Sequence, residues 1–387
     1  MIRLLNRASE REMEESTENQ ELILYEIVRD FGSPKIELIR LLKEASEIEH
    51  SLMLQYLFAC FSIKNKYGTL KGFAFPGSKS LMGIAVQEMQ HLQYVCLFLQ
   101  KLGIAPSLDR QDFPYEPDIY PFEFNLEPLT IDTVAKYVYT EASFKDIDPS
   151  NGQDMPFKLK LKNVLGQSFN INLLSGLYDR IIELATEVKA QDSALKIEQS
   201  INHMIFVRDQ GEDEHFTFFK SVFLGSHPAF DGIDNVWDLP EDHKDYPSNL
   251  LKKNPSAFIG HVNSIEGFVD RSIAWLSNIH YWTILLLLEQ SYRYASNSSL
   301  YMDIAKKHMV SPLNILGNKL SEIGIGVPFD RLSIGYNPGI DERENNNFIV
   351  EIMKEGKRVV NDVKDHLPLT FDTFLYDNTI TQIKNIK

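Results

Sequence analysis

The chain has 387 residues, 43% of them hydrophobic and 24% charged, with a formal net charge of −15. That length and composition suit one large globular domain or two ordinary ones, with apolar material enough for a substantial core. The acidic balance argues against nucleic acid and against an anionic membrane surface as the main partner.

Residues 1–34 are polar and charged and read as an amino-terminal arm with some helix. From Lys35 to about Ile63, Leu38, Leu42, Ala45, Leu52, Met53 and Tyr56 recur at three- and four-residue spacing, which predicts a long helix. "NKYGTLKGFAFPGSKS" is a loop rich in turn formers, and a second helix runs from about Ser80 to Leu102, where Gly103 stops it. The prolines of "GIAPSLDRQDFPYEPDIYPFEFNLEPL" exclude a helix there. Thr130 can cap a third helix reaching about Asp146. A further amphipathic helix is predicted over 172–188, and a fourth long one over about 193–223. Two long apolar-striped segments (262–297 and 299–323) and a shorter one (345–365) follow. No convincing strand or internal repeat is visible, so the fold class is all-α. The expected organisation is an arm over 1–34, a four-helix bundle with one long crossover over 35–225, and a helical extension over 226–387 that packs on the bundle.

Cys60 and Cys96 both lie in apolar helical runs, form no CxxC pair and are too few for a disulfide scaffold, as expected of buried thiols in a reduced compartment. The amino terminus turns acidic at once, with no apolar core of signal-peptide length. The most apolar later run, "WTILLLLEQ", is far short of the ~20 residues a membrane span needs. A cytoplasmic location without membrane association is expected.

Six polar residues break the apolar stripes in a regular way. Glu49 falls on the stripe of the first helix, whereas Glu44 and Glu47 lie with Arg40, Lys43 and Ser51 on what reads as a solvated face. Glu88 and His91 share a stripe with Leu81, Ile84, Ala85, Leu92 and Val95. Glu141 lines up with Val134, Tyr137, Val138 and Phe144, and Glu212 and His215 with Ile201, Ile205, Phe216 and Phe219. In order the helices carry Glu, ExxH, Glu, ExxH. Unpaired buried carboxylates cost several kcal/mol each, and four facing one core would repel strongly. Two divalent cations would cancel that charge, and the i, i+3 spacing lets a Glu and a His reach one metal pair. A single ExxH occurs by chance in many helical proteins. Two copies on apolar stripes, each preceded by a helix with one inward Glu, are far more specific.

The stretches "LLKEASEIEHSLMLQYLFACFSI", "VQEMQHLQYVCLFLQKLGIAP", "YPFEFNLEPLT" followed by Glu141, and "DQGEDEHFTFFKSV" resemble the ferritin-like family that includes the iminophenylpyruvate dimer synthases of bis-indole pathways. The resemblance covers residues of about 36–225 and continues more loosely through "YPSNLLKKNP" and "VSPLNILGNKL". It implies metal ligation by Glu49, Glu88, His91, Glu141, Glu212 and His215. The chain departs from many relatives in lacking an insertion between Glu212 and His215, and in following Glu141 with "ASFKD" where a proline is common.

Other candidates are weaker. His50, next to Glu49, points about 100° away and suits a helix interface. His203, His227, His243, His261, His280, His308 and His366 lack ligand spacing and read as surface or packing residues. Tyr94, Tyr56 and Arg208 are within reach of the ligands along their helices; Tyr94 and Arg208 are candidates to support them, though a packed core tyrosine is the commoner role.

Carboxylate and imidazole ligands without thiolate suit two iron ions, with manganese as the alternative. The expected function is a non-haem di-iron oxidase or oxygenase that uses O2 on a small, amino-acid-derived organic substrate in specialised metabolism, with an electron donor not identified. The residues beyond the bundle favour this over an iron-handling protein, which needs no such addition. The other alternative, a manganese catalase-like peroxide scavenger, has a similar ligand set and would be singled out by bound manganese and rapid peroxide dismutation. The oligomeric state stays open, with a homodimer paired through an apolar helix face as one candidate.

Overall fold

The computed structural model describes residues 29–72, 79–106, 108–117, 119–148, 150, 152–166, 173–332 and 341–386. Most of the arm expected over 1–34 lies outside the described residues. The fold is all-α. Among the described residues, strand pairing is confined to isolated bridges such as Ile63–Ser248 and Tyr115–Phe124.

Helix α1 (Pro34–Ser62) starts where Ser33 accepts a hydrogen bond from the Ile36 N–H and Pro34 supplies the first helical residue. After the single turn α2 (Gly68–Lys71), helix α3 (Leu81–Lys101) is capped by Ser80, whose Oγ accepts from Gly83 at 3.2 Å. Thr130 caps α4 (Ile131–Glu141) in the same way, accepting from Thr133 N–H at 3.2 Å. Helix α4 stops at Glu141, because Ala142 is extended and Ser143 opens the separate turn α5 (Phe144–Ile147) with a capping box. The third helix is thus about a turn shorter than its periodicity suggests. Helix α6 (Met155–Leu165), which the sequence pattern did not reveal, buries only Phe157, Lys158 and Leu161.

Helices α7 (Leu174–Gln191), α8 (Glu198–Gln210) and α9 (Phe216–Phe223) follow, with a π-helical turn, Gly211–His215, joining α8 to α9. The fourth long helix is therefore one rod with a bulge in its middle. Helix α4 packs along α9 and α7 along α8, while α1 lies against α3 and α7. The third position of the bundle is shared by α4 and α7, interrupted beside the π-turn.

Helix α1 is the centre of the molecule, and the face expected to be solvated is partly covered. Ser51 is fully buried, the Gln111 N–H donates to Glu47 at 2.7 Å, and the Tyr115 hydroxyl donates to Glu44 at 3.3 Å. The proline-rich crossover lies over part of that side of α1, leaving Glu44 and Glu47 half-buried and Lys43 exposed.

The later helices are α10 (Phe268–Arg293), α11 (Ser298–His308), α12 (Asn314–Glu322), α13 (Glu342–Val363) and α14 (Leu375–Lys384). Helix α10 packs on α11, α12 and α13, and α12 packs directly on α1. Gly317 makes that approach close: a Cβ there would come within 2.7 Å of the Phe61 ring. Gly326, at φ +82°, lets the following chain pass over Phe58 in the same way. One continuous apolar core runs from α1 through α13. No described helix is long and apolar enough to cross a membrane.

Candidate metal centre

Five of the six predicted residues converge. Glu49 from α1, Glu88 and His91 from α3, Glu141 at the end of α4, and His215 at the end of the π-turn are each at most 4% exposed. Their donor atoms form two groups, Glu49–Glu88–His91 and Glu88–Glu141–His215, each with its atoms within 4.8 Å of one another. Glu88 belongs to both. Its Oε2 lies 2.9 Å from His91 Nδ1 and its Oε1 lies 2.8 Å from His215 Nδ1.

The two halves are chemically alike. Glu49 Oε1 accepts from the Tyr178 hydroxyl, while Glu49 Oε2 lies 3.6 Å from His91 Nδ1. Glu141 Oε1 accepts from the Tyr56 hydroxyl, while Glu141 Oε2 lies 3.5 Å from His215 Nδ1. Each outer carboxylate thus has one oxygen held by a tyrosine and one turned inward. The imidazoles are stacked, with ring centroids 5.4 Å apart.

Several of the inward atoms have no protein partner. Glu49 Oε2, Glu88 Oε1 and His215 Nδ1 are buried without a hydrogen bond, the short Glu88–His215 approach being poorly aligned for one. A core leaves such atoms unsatisfied only at a cost of about 1–3 kcal/mol each. Aimed at one space from carboxylates and imidazoles, they fit divalent cations, and these buried groups could hold a pair of metal ions.

Protonation reflects the crowding. Burial and the neighbouring Glu88 charge push the Glu49 carboxyl up to about 8. Burial would also raise Glu88, but the facing His91 and His215 outweigh it and hold Glu88 well below the usual carboxylate range. Burial disfavours charge on His215, yet Glu88 and Glu141 carry it up to about 9, and Glu88 and Glu49 hold His91 well above its ordinary value. Burial and then the Glu49 and Glu141 charges keep Tyr178 and Tyr56 firmly protonated.

Glu212 is set apart from this cluster. It is half-buried on the π-turn and pairs with Ser175. The bulge inserts a residue into the rod, so Gly211 takes the inward position, where a Cβ would meet Glu141 Oε2 at 3.0 Å. Glu212 instead lines a narrow cleft, together with His91, Glu141, Ser175, Tyr178 and Arg208.

Arg208 faces that cleft but bonds Asp179 and Asp209, not a carboxylate of the cluster. Tyr94 lies on the outer side of α3, stacked on His203 at 4.1 Å, because three residues beyond His91 the helix has turned it away. Tyr56 does reach the site, through Glu141. His50 serves a helix interface, its Nε2 2.9 Å from the Tyr281 hydroxyl of α10. His280 and His308 are core residues, 2.8 Å apart between Nδ1 atoms and bonded outward to Tyr376 and Thr379.

Sequence reasoning missed Tyr178, Gln87 and Gln210. Tyr178 sits on the apolar stripe of α7 among Leu174, Leu177 and Ile181, where nothing local separates it from a packing residue. Gln87 and Gln210 leave a visible trace, since a glutamine stands just before each ExxH segment, in "QEMQH" and "QGEDEH".

Helices α1, α3, α4 with α7, and α8 with α9, gathered around the carboxylate–imidazole cluster of Glu49, Glu88, His91, Glu141 and His215, form a ferritin-like bundle. Residues 42–223 match the ferritin-like family, and the chain carries a ferritin-like domain there. At the level of particular proteins, the chain is similar to dichlorochromopyrrolate synthase of Lentzea aerocolonigenes, 22% identical over 386 aligned positions. The match takes in 82% of this chain but 37% of that relative, so the chain spans well under half of the synthase's length. No solved structure gives a significant match.

Proposed function

We propose that the chain is a non-haem di-iron oxidoreductase that uses O2 to oxidise a small, amino-acid-derived organic substrate in specialised metabolism. The observation that carries the proposal is Glu88, with one carboxylate oxygen directed at each of two stacked imidazoles and an outer glutamate beyond each. Similarity to a synthase favours biosynthetic chemistry over iron handling.

In this reading Glu49, Glu88 and His91 hold one metal ion, and Glu88, Glu141 and His215 hold the other. Iron bound there would supply oxygen reduction and substrate oxidation. Tyr178 and Tyr56 orient the outer carboxylates by donating to their Oε1 atoms, which leaves each Oε2 for metal. The three carboxylates of the set balance three of the four charges of two divalent ions. Glu212, lining the cleft beside His91 and Glu141, is the remaining carboxylate of the sequence pattern and supplies the fourth. The same cleft borders the centre and, as it stands, is too narrow for an organic molecule. Apolar Leu174 and Val207 line it and limit water there.

Elemental analysis after anaerobic iron loading, followed by oxygen-electrode recording on admitting O2, tests this. The expected result is about two irons per chain, from the two donor groups, with stoichiometric oxygen uptake. Manganese retained in preference to iron, with rapid peroxide dismutation and no oxygen uptake, would overturn it.

A further inference from the structure

Outside the carboxylate cluster, the two imidazoles are tied to each other's helices. His91 Nε2 lies 3.0 Å from Gln210 Oε1, at the end of α8. His215 Nε2 lies 3.1 Å from Gln87 Oε1, on α3. The arrangement is reciprocal, because each ExxH helix supplies the glutamine that holds the other helix's histidine. Both glutamines also turn to one residue: Gln87 Nε2 donates to Glu214 Oε2 at 3.1 Å, and Gln210 Nε2 donates to the same oxygen at 3.4 Å.

That shared acceptor determines every proton position in the strap. A carboxylate accepts hydrogen bonds, so both amides must present their NH2 groups to Glu214. Each amide then has only its carbonyl oxygen left for the imidazole, and a carbonyl oxygen accepts. Each ring must therefore carry a hydrogen on Nε2. In the metal-bound protein, where each histidine keeps one ring hydrogen, Nδ1 is the nitrogen left bare, and it is Nδ1 of both rings that faces Glu88. The π-turn makes the geometry available, for it brings Gln210 and His215, five residues apart on one rod, both to bear on α3.

We infer that Gln87, Gln210 and the exposed Glu214 form a positioning strap, which locks His91 and His215 in the Nε2–H tautomer and so presents both Nδ1 atoms to the metal pair. Glu214 is the hub, and one surface carboxylate sets the tautomer at both metals. The inference rests on the metal-centre reading above.

The test uses the full chain, labelled with 15N-histidine and loaded with zinc as a diamagnetic probe. Long-range 1H–15N spectra should show both rings as Nε2–H tautomers with Nδ1 shifted by metal. In competition titrations, Gln210→Leu should weaken zinc binding at the His91 half and Gln87→Leu at the His215 half, each by about 10–100-fold, the usual effect of losing such a partner. Glu214→Ala should weaken both halves, and its spectra should show the Nε2–H tautomer no longer uniform. Two bound zinc ions with either ring protonated at Nδ1 would overturn the strap alone, as would wild-type affinity in all three variants. The wild-type spectra decide the matter even if a leucine variant fails to fold. A wild-type chain that takes up no metal would overturn the metal-centre reading, and the strap with it.

Discussion

Glu88 is 1% exposed on a helix whose other inward residues include Leu81, Ile84, Ala85, Leu92 and Val95. With metal absent, its charge is held by His91 and His215, one at each oxygen. Removing it strips both imidazoles of their nearest anion and takes away the atoms common to both donor groups. Glu88→Ala should therefore cost about 3–5 kcal/mol of stability in the metal-free protein, the range for breaking a buried charge pair. It should also reduce bound metal from about two ions per chain to less than one, while α1 and α3 keep their helicity through the unaltered apolar stripes. Chemical denaturation, elemental analysis and far-UV circular dichroism of the same preparation check the three parts. Undiminished metal would mean that Glu88 is a core charge partner only. That Glu88 and His91 face inward is legible in the sequence, because helical periodicity alone puts them on the apolar stripe. Which oxygen meets which nitrogen is not legible, since that depends on how α3 is rotated against α8 and α9.

At the scale of elements, the rod formed by α8, the π-turn and α9 does what an uninterrupted helix could not. A regular helix through residues 198–223 would place Glu212 and His215 on one face, one turn apart, as the pattern predicts. The bulge instead delivers His215 to Glu88, puts Gly211 opposite Glu141 and turns Glu212 into the cleft. Gly211 has an ordinary right-handed backbone, φ −58°, so alanine fits its conformation and should gain about 0.5–1 kcal/mol of helix propensity. Its added methyl would press on Glu141 Oε2. Gly211→Ala is thus expected to leave stability equal or higher while lowering metal affinity about 10-fold, through the displaced carboxylate. Thermal unfolding of the metal-free protein and a metal-competition titration separate the two effects. Equal loss of both would point to a disrupted rod rather than a displaced ligand. The bulge has no clear local marker, because "RDQGEDEHFTFF" reads as continuous helix and only packing against α3 and α4 decides where the extra residue goes.

The molecule as a whole is squeezed by pH from both sides when metal is absent. Glu49, at about 8, and His215, at about 9, bind protons more tightly folded than unfolded, as does His91. Their contribution is fully present below their unfolded values and is lost as pH rises through about 8 to 9. In the other direction, burial holds His50 and His308 down to about 3 and His280 well below its ordinary value. These rings are folded in the neutral form, so stability is lost as pH falls from their unfolded value near 6.5 toward about 3. Metal-free protein should therefore be most stable near neutral pH, with its denaturation midpoint falling on both flanks. Metal uptake must displace the Nδ1 protons of His91 and His215, so apparent affinity should rise with pH across the alkaline flank where the metal-free fold weakens. Denaturant titrations over a pH series, with and without zinc, check both slopes. A flat alkaline limb in the metal-free protein would mean that the imidazoles are neutral in the fold.

Helix periodicity, caps at Ser33, Ser80 and Thr130, and the order Glu, ExxH, Glu, ExxH are local properties of the chain. From them alone follow an all-α class, the main helices and the inward placement of Glu49, Glu88, His91 and Glu141. Tertiary structure decided everything that needs two elements to meet at a set rotation and register. Tyr178 reaches Glu49 across 129 residues of sequence, Gln87 reaches His215 across 128, and Gly317 meets Phe61 where α12 crosses α1. It also placed Glu212, whose local spacing is right, in the cleft beside the cluster, its direction reset by one residue of bulge. A helix's own hydrogen bonds determine which of its residues share a face. Only the side chains packed against that face determine which atoms on it touch.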